Sequence, residues 1–194
     1  MAWMSPPGTI PGSHPQAHYT TQFETLNHDF QHWQPRILID TREQDPLPIA
    51  RYPSARATLN SGDYSFAGGE HLLAVERKTI PDLVRSLTTE RERFTRELER
   101  LRGYRFARLL VIGWPGQIEQ GHYRSKTPPK AILHSLYSLE AKFVPVCWAP
   151  TPQEGAELVE RWVFWFARSC VQAAEVIAAK WDGLENSLKN QGGR

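Results

Sequence analysis

Apolar residues change their spacing several times along this chain, and each change predicts an element. "RILID" (36–40) is a short β-branched run that ends in the polar loop "TREQDPLP" and reads as a first strand. "RATLN" (56–60) is a weaker extended segment. A hairpin follows, with "DYSFA" (63–67), the loop "GGEH" and "LLAVERK" (72–78). Pro81 suits the first turn of a helix, with Thr79 as its cap. In "TTERERFTRELERLR" (88–102), Phe94, Leu98 and Leu101 recur at i, i+4 and i+7 as a buried helical stripe. Arg93, Arg96 and Arg100 form an exposed stripe on the same helix. "ARLLVIGW" (107–114) is continuously apolar, as a strand covered on both faces should be. A basic loop, "GQIEQGHYRSKTPPK", then leads to a helix over 131–143, a strand "VPVCWA" and a long helix from about Pro152 to Trp181. The expected class is α/β, a mixed central sheet flanked by helices.

The ends look different. Residues 1–34 are rich in Pro, Gly, His, Gln and Thr without periodicity and read as a disordered arm, followed by a single domain over 35–181. The last stretch, 182–194, lacks an apolar stripe and reads as a flexible tail. His28 and His32 have helical spacing but no companion ligands, so a chance pair is the better reading. Cys147 and Cys170 lie in apolar surroundings without CxxC spacing and are expected to be free thiols. No basic n-region precedes an apolar core at the start, and "WVFWFA" (162–167) is too short to span a bilayer. The expectation is a cytoplasmic, nucleoid or nuclear protein, not a secreted one. The net charge of +2 identifies no partner, but Glu76 to Arg108 holds ten Lys/Arg against six Asp/Glu.

The hairpin carries the candidate chemistry. If Ala67 and Leu72 flank a four-residue loop, Asp63 falls opposite Glu76, on one face of the sheet. Alternation puts Lys78 on that face too, and turns Val75 and Arg77 away. Two carboxylates this close repel unless a cation lies between them. An all-oxygen pair with room for water suits Mg²⁺ or Mn²⁺ better than zinc. Such an ion binds a phosphate oxygen and acidifies a coordinated water for in-line attack on phosphorus. Lys78 could orient that water or offset charge on the phosphate. The alternative is a surface ion-pair cluster, Glu76 with Lys78 and Asp63 with Arg77. Asp40 ends the first strand, where site residues of open α/β sheets gather, and Arg42 is placed for a phosphate. Asp82 could cap its helix, or hold Lys78 or a metal-bound water.

Together "DTRE", "SGDY", "VERKTIPDL", "RERFTREL" and "RLLVIG" closely resemble the nuclease domain of the XPF family, structure-specific DNA endonucleases that cut flaps, forks and bubbles. The family signature, Gly-Asp, a spacer, Glu-Arg-Lys, three residues and Asp, is complete in Gly62-Asp63, Glu76-Arg77-Lys78 and Asp82. The similarity runs from about Pro35 to Phe166. It implies a restriction-endonuclease-like fold and a divalent-metal site. Asp63 and Glu76 would be ligands with the Arg77 main-chain carbonyl, Lys78 the catalytic lysine, and Asp40, Arg42 and Asp82 the remainder, with Asp40 a candidate further ligand. Tyr64 would pack rather than react. The family's Arg before the Phe94 position could be Arg91 or Arg93, because "RERF" departs from the usual context.

Relatives commonly carry a helix-hairpin-helix domain after the nuclease and some a helicase before it; only about 28 residues follow Phe166 here. DNA binding would then fall to Arg91, Arg93, Arg96, Arg100, Arg124, Lys126 and Lys130, or to the N-terminal arm. The resemblance also implies DNA as partner, and allows a homodimer through the nuclease domain or a recruiting protein. Trp162, Val163 and Phe166 fit either core or such an interface, with core the default. Three other readings compete: a non-catalytic DNA-binding scaffold of the same fold, a restriction- or recombination-type nuclease, and a protein-interaction module. The complete set of signature acids argues against the scaffold.

Overall fold

A computed structural model describes residues 34–191, with side chains to Trp181. The arm and the His28/His32 pair lie outside the described residues. β1 (Ile37–Asp40) is buried throughout, as its apolar run demands. It lies in a six-stranded sheet with β2 (Ser54–Ala57), β3 (Tyr64–Phe66), β4 (Leu73–Thr79), β5 (Phe106–Ile112) and β6 (Val146–Ala149), in the order β2-β1-β3-β4-β5-β6. β1 pairs parallel to β2 and antiparallel to β3, β3 is antiparallel to β4, and β4, β5 and β6 are mutually parallel. The mixed α/β sheet is the expected class.

The parallel half needs crossovers. α1 (Ile80–Leu87) and α2 (Arg91–Leu101) supply the first, α3 (Pro115–Glu119) and α4 (Pro129–Lys142) the second. Leu83, Val84 and Leu87 of α1, Phe94, Leu98 and Leu101 of α2, and Ile132, Leu136 and Leu139 of α4 join Ala74, Leu109 and Val111 in one core. The second face is covered by α5 (Pro152–Gln191). There Phe166 meets Phe66 and Phe106 with ring centroids 6.2 and 5.6 Å apart, and Trp162 lies 6.1 Å from Phe106. Val163 is therefore in the domain's own core, and Trp162 and Phe166 pack half-buried against the sheet.

Three local expectations change. β2 begins at Ser54, ahead of "RATLN", and its alternating exposure is that of an edge strand. α3 interrupts the basic loop, with Pro115 opening it and Gln117 accepting from the Trp114 N–H at 2.9 Å. α5 continues to Gln191 rather than stopping near Trp181. Cys147 and Cys170 are free. Among the described residues, no helix is long and apolar enough to cross a membrane.

Tyr64 is fully buried, and its hydroxyl accepts the Leu47 N–H at 2.7 Å. Burial pushes the phenol pKa up, so it packs as a neutral group. Tyr64→Phe strands a buried N–H and should cost about 1–3 kcal/mol. Urea denaturation reads this directly, and an unchanged midpoint would refute the role.

Candidate active site

The hairpin places the first carboxylate. Its turn spans Ala67–Leu72, six residues instead of four, because Ala67 donates to the Arg36 carbonyl (3.0 Å) and so pairs toward β1. One residue leaves each arm, so the register is unchanged: Tyr64 stands opposite Val75, and Asp63, one residue earlier, lies at the same end of the hairpin as Glu76. Gly62 makes the approach possible. Its φ is +77°, a conformation that favours glycine, and an added Cβ would lie 3.1 Å from the Val75 carbonyl oxygen, a tight contact for any side chain. The Asp63 N–H then bonds that carbonyl at 2.8 Å, and the Asp63 carbonyl accepts the Asp40 N–H at 2.8 Å. Strand ends from three parts of the sequence are thus tied together.

Glu76 and Lys78 follow by alternation on the same face. Glu76 is 3% exposed, and its Oε1 accepts from Lys78 Nζ. The ammonium also lies 5.2 Å from the Phe94 ring centroid and 3.9 Å from Glu97 Oε2. Glu97 is the residue that reading the sequence missed. It stands one turn after Phe94 on α2, and that i+3 spacing from a buried aromatic is the signal that could have found it. Arg77 alternates to the opposite face, where its guanidinium pairs with Asp45 (3.1 Å) and Glu43 (3.7 Å). Its backbone N–H stays with the site and donates to Asp63 Oδ2 at 2.7 Å. Among the described residues the Asp63–Arg77 ion pair of the surface-cluster alternative is not formed; the two residues meet through the main chain. Arg77 Nε is buried without a partner among the described residues.

Charge at this face is unbalanced. Three carboxylates, Asp63, Glu76 and Glu97, share one ammonium. Burial pushes Asp63 up to about 6, against the bond from Arg77 N–H, and Glu43 and Glu97 add to the rise. Burial and then the Asp63 charge hold Glu76 well above the ordinary carboxylate range. Burial works against the Lys78 ammonium, but Glu76 and Glu97 outweigh it, and its pKa stays above the usual lysine value. Among the described residues, no three His, Cys, Asp or Glu groups form a metal cage by themselves. Mg²⁺ does not need one: it binds through one or two carboxylates and fills its shell with water and phosphate oxygens. The all-oxygen donors and the surplus negative charge fit a hard divalent cation.

The remaining predicted residues lie nearby but are engaged. Asp40 is 1% exposed, and both its oxygens are taken. Oδ1 accepts from Arg42 N (2.8 Å) and Nε (2.6 Å), and Oδ2 from Leu59 N (2.7 Å) and Arg42 Nη2 (3.1 Å). These bonds hold its pKa below the ordinary value despite burial. Asp40 therefore clamps the segment from Thr41 to Leu59, with Arg42 also donating to the Leu59 carbonyl at 2.8 Å. Asp82 accepts from Thr79 Oγ1 (2.6 Å) and Arg85 (2.7 Å), and its N–H donates to Thr79 Oγ1 at 3.4 Å. Thr79 is thus the N-cap of α1, and Asp82 braces that cap from the first turn. Arg91, Arg93, Arg96, Arg100, Arg124, Lys126 and Lys130 are all exposed. Arg91 donates to the Leu87 carbonyl and Arg93 pairs with Glu90, turning both toward α1 and its exit. Among the described residues, Arg96 and Arg100 form no ion pair.

Comparison with known proteins places this geometry. The model of the ERCC4 domain matches residues 39–161. Two solved structures share the fold. XPF from Aeropyrum pernix is 22% identical with a TM-score of 0.55, over 68% of this chain and 61% of that one. XPF from Aeropyrum pernix in complex with DNA is 23% identical with a TM-score of 0.56, over 70% of this chain and 66% of that one. The chain thus spans less than two thirds of either solved chain. No curated protein matches it. The matched segment runs from the end of β1 through β6, takes in Asp63, Glu76, Lys78 and the start of α5, and is most of the chain, and the protein belongs to the ERCC4-domain family.

Proposed function

We propose that the protein is a divalent-metal-dependent DNA endonuclease that hydrolyses phosphodiester bonds at branched DNA such as flaps, forks or bubbles. One observation carries the reading: two neighbouring carboxylates, Asp63 and buried Glu76, lie beside a charged lysine, and negative charge is in excess. The branched substrate is inferred from the family signature and from the solved relative described in complex with DNA.

Asp63 and Glu76, with the Arg77 main-chain carbonyl, would hold Mg²⁺ or Mn²⁺. When bound, the ion supplies Lewis acidity to the scissile phosphate and an acidified water. The rest belongs to the chain. The Arg77 N–H fixes one Asp63 oxygen. Glu97 and Phe94 hold the Lys78 ammonium next to Glu76, where it can donate to a phosphate oxygen as charge builds. The Asp40–Arg42 clamp positions the chain that leads back to Asp63. A cleavage assay with Mg²⁺ or Mn²⁺ on flap, fork, bubble, single-strand and plain duplex DNA tests the proposal. Absence of cutting on every substrate would sink it; binding without cutting would favour the scaffold reading.

Helices α1, α2 and α4 cover the face that carries the site, so Arg96, Arg100 and Lys130 lie in the layer a DNA backbone would meet, with Lys126 in the adjoining loop. Replacing these four residues with alanine is expected to weaken duplex and fork binding at moderate salt. Each lost phosphate contact should flatten the log–log salt dependence by about 0.9. Fluorescence anisotropy across a salt series checks this, and an unchanged slope would remove these residues from the interface.

A further inference from the structure

The sheet edge that carries Lys78 holds one more group, an aromatic one. β4 and β5 run parallel, with Lys78 beside Val111 and Thr79 beside Ile112, so both strands end at this edge. Past Ile112 the chain is held at Gly113, whose N–H donates to the Ala149 carbonyl at 2.8 Å. A Cβ added to Gly113 would lie 2.7 Å from Ile80, so this backbone abuts the start of α1, the helix that follows Lys78. Trp114 comes next and is 47% exposed. It stands three residues past Val111, a span of at most about 10 Å.

Trp114 is exposed but not loose. Its N–H and carbonyl both bond Gln117, at 2.9 Å to Oε1 and 3.0 Å from the N–H. The six-membered ring lies on Gly116, where an added Cβ would fall 1.7–2.4 Å from Cζ3, Cε3 and Cη2. Any side chain at 116 would evict the indole. One side of the ring is thus seated on backbone and the remainder meets solvent. The segment that follows α3 presents exposed Arg124, Lys126 and Lys130. A fixed aromatic ring joined to a basic segment is the combination that holds single strands, with a base stacked on the ring and phosphates on the cations. We propose that Trp114 stacks on an unpaired base of the bound DNA, within about three nucleotides of the scissile phosphate at 3.4 Å per nucleotide. The inference rests on the nuclease reading and names the part of a branched substrate this edge selects. Bases of a plain duplex are stacked on one another and would first have to be unstacked, at a cost.

The test is equilibrium binding of the full chain in EDTA, which separates recognition from cleavage, to a fork, a single strand and a plain duplex. Trp114→Ala should weaken fork and single-strand binding about ten-fold, leave duplex binding at the wild-type level, and keep the wild-type salt slope, because no phosphate contact is lost. Trp114→Phe keeps a ring and should recover most of the affinity. An abasic site walked along the single-stranded arm should lower wild-type binding at one position near the junction, and leave Trp114→Ala indifferent there. Equal losses on duplex and fork, a Phe variant as weak as the Ala variant, or no loss at all overturns the stacking site while the nuclease reading stands. A wild type that binds none of the three DNAs removes that reading and the stacking site with it.

Discussion

Asp63→Ala and Lys78→Ala should each lower DNA cleavage on the order of 10³-fold while leaving the domain folded. Removing Asp63 deletes one of the two neighbouring carboxylates, and Glu76 alone offers a poor hard-cation site. Removing Lys78 deletes the positive group nearest the site and leaves Glu76 and Glu97 without their shared cation. Preorganised charges of this kind are typically worth 10²–10³ in rate, and a metal site more. The measurement is single-turnover cleavage of the best branched substrate at saturating Mg²⁺, with circular dichroism confirming the fold. Either variant retaining near wild-type rates would refute the site assignment.

Asp63→Asn should do something different: make the metal-free protein more stable at neutral pH. The Asp63 carboxyl is raised from 3.8 to about 6 in the folded state. The folded protein therefore holds this proton more tightly than the unfolded chain does. Its contribution to stability is complete below about pH 4 and is lost as pH climbs to 6 and beyond. A rise of that size corresponds to about 3 kcal/mol, and partial exposure and the coupled carboxylates reduce it to roughly 1–2 kcal/mol. Asparagine keeps the acceptor for the Arg77 N–H but removes the charge. The Tm of the variant at pH 7.5 in EDTA should exceed wild type by about 3–6 °C, with the difference closing toward pH 4. Mg²⁺ should then raise the Tm of wild type at pH 7.5 and leave the variant little changed. A variant less stable than wild type at pH 7.5 would show that the Asp63 charge is compensated in the metal-free fold.

Much of this was legible in the chain because it depends on period and parity. The apolar run of β5, the stripe of α2 and the convergence of Asp63, Glu76 and Lys78 all follow from side-chain alternation along local segments. Other features needed three-dimensional placement. Asp40 could equally have offered an oxygen to a metal; its second oxygen is taken by the Leu59 N–H, nineteen residues away. Asp82 could by sequence cap its helix or hold Lys78 or a metal-bound water, and only the fold shows it bonded to Thr79 and Arg85. Glu97 reaches Lys78 only because packing of Phe94 and Leu98 fixes how α2 is rotated over the sheet. β2 was misplaced because an exposed edge strand has no apolar face to announce it. The end of α5 was misplaced because the length of a helix and the length of its buried stripe are separate quantities.

The hairpin turn has a consequence for how this site can vary. Residues 67–72 close it, and lengthening both arms by one residue restores the same pairing of Tyr64 with Val75. A single inserted residue slides one strand by half a pleat and sends the two carboxylates to opposite faces, unless a bulge absorbs it. Length here is therefore constrained as even or odd rather than as long or short. A turn that looks free to drift carries a parity check on the active site.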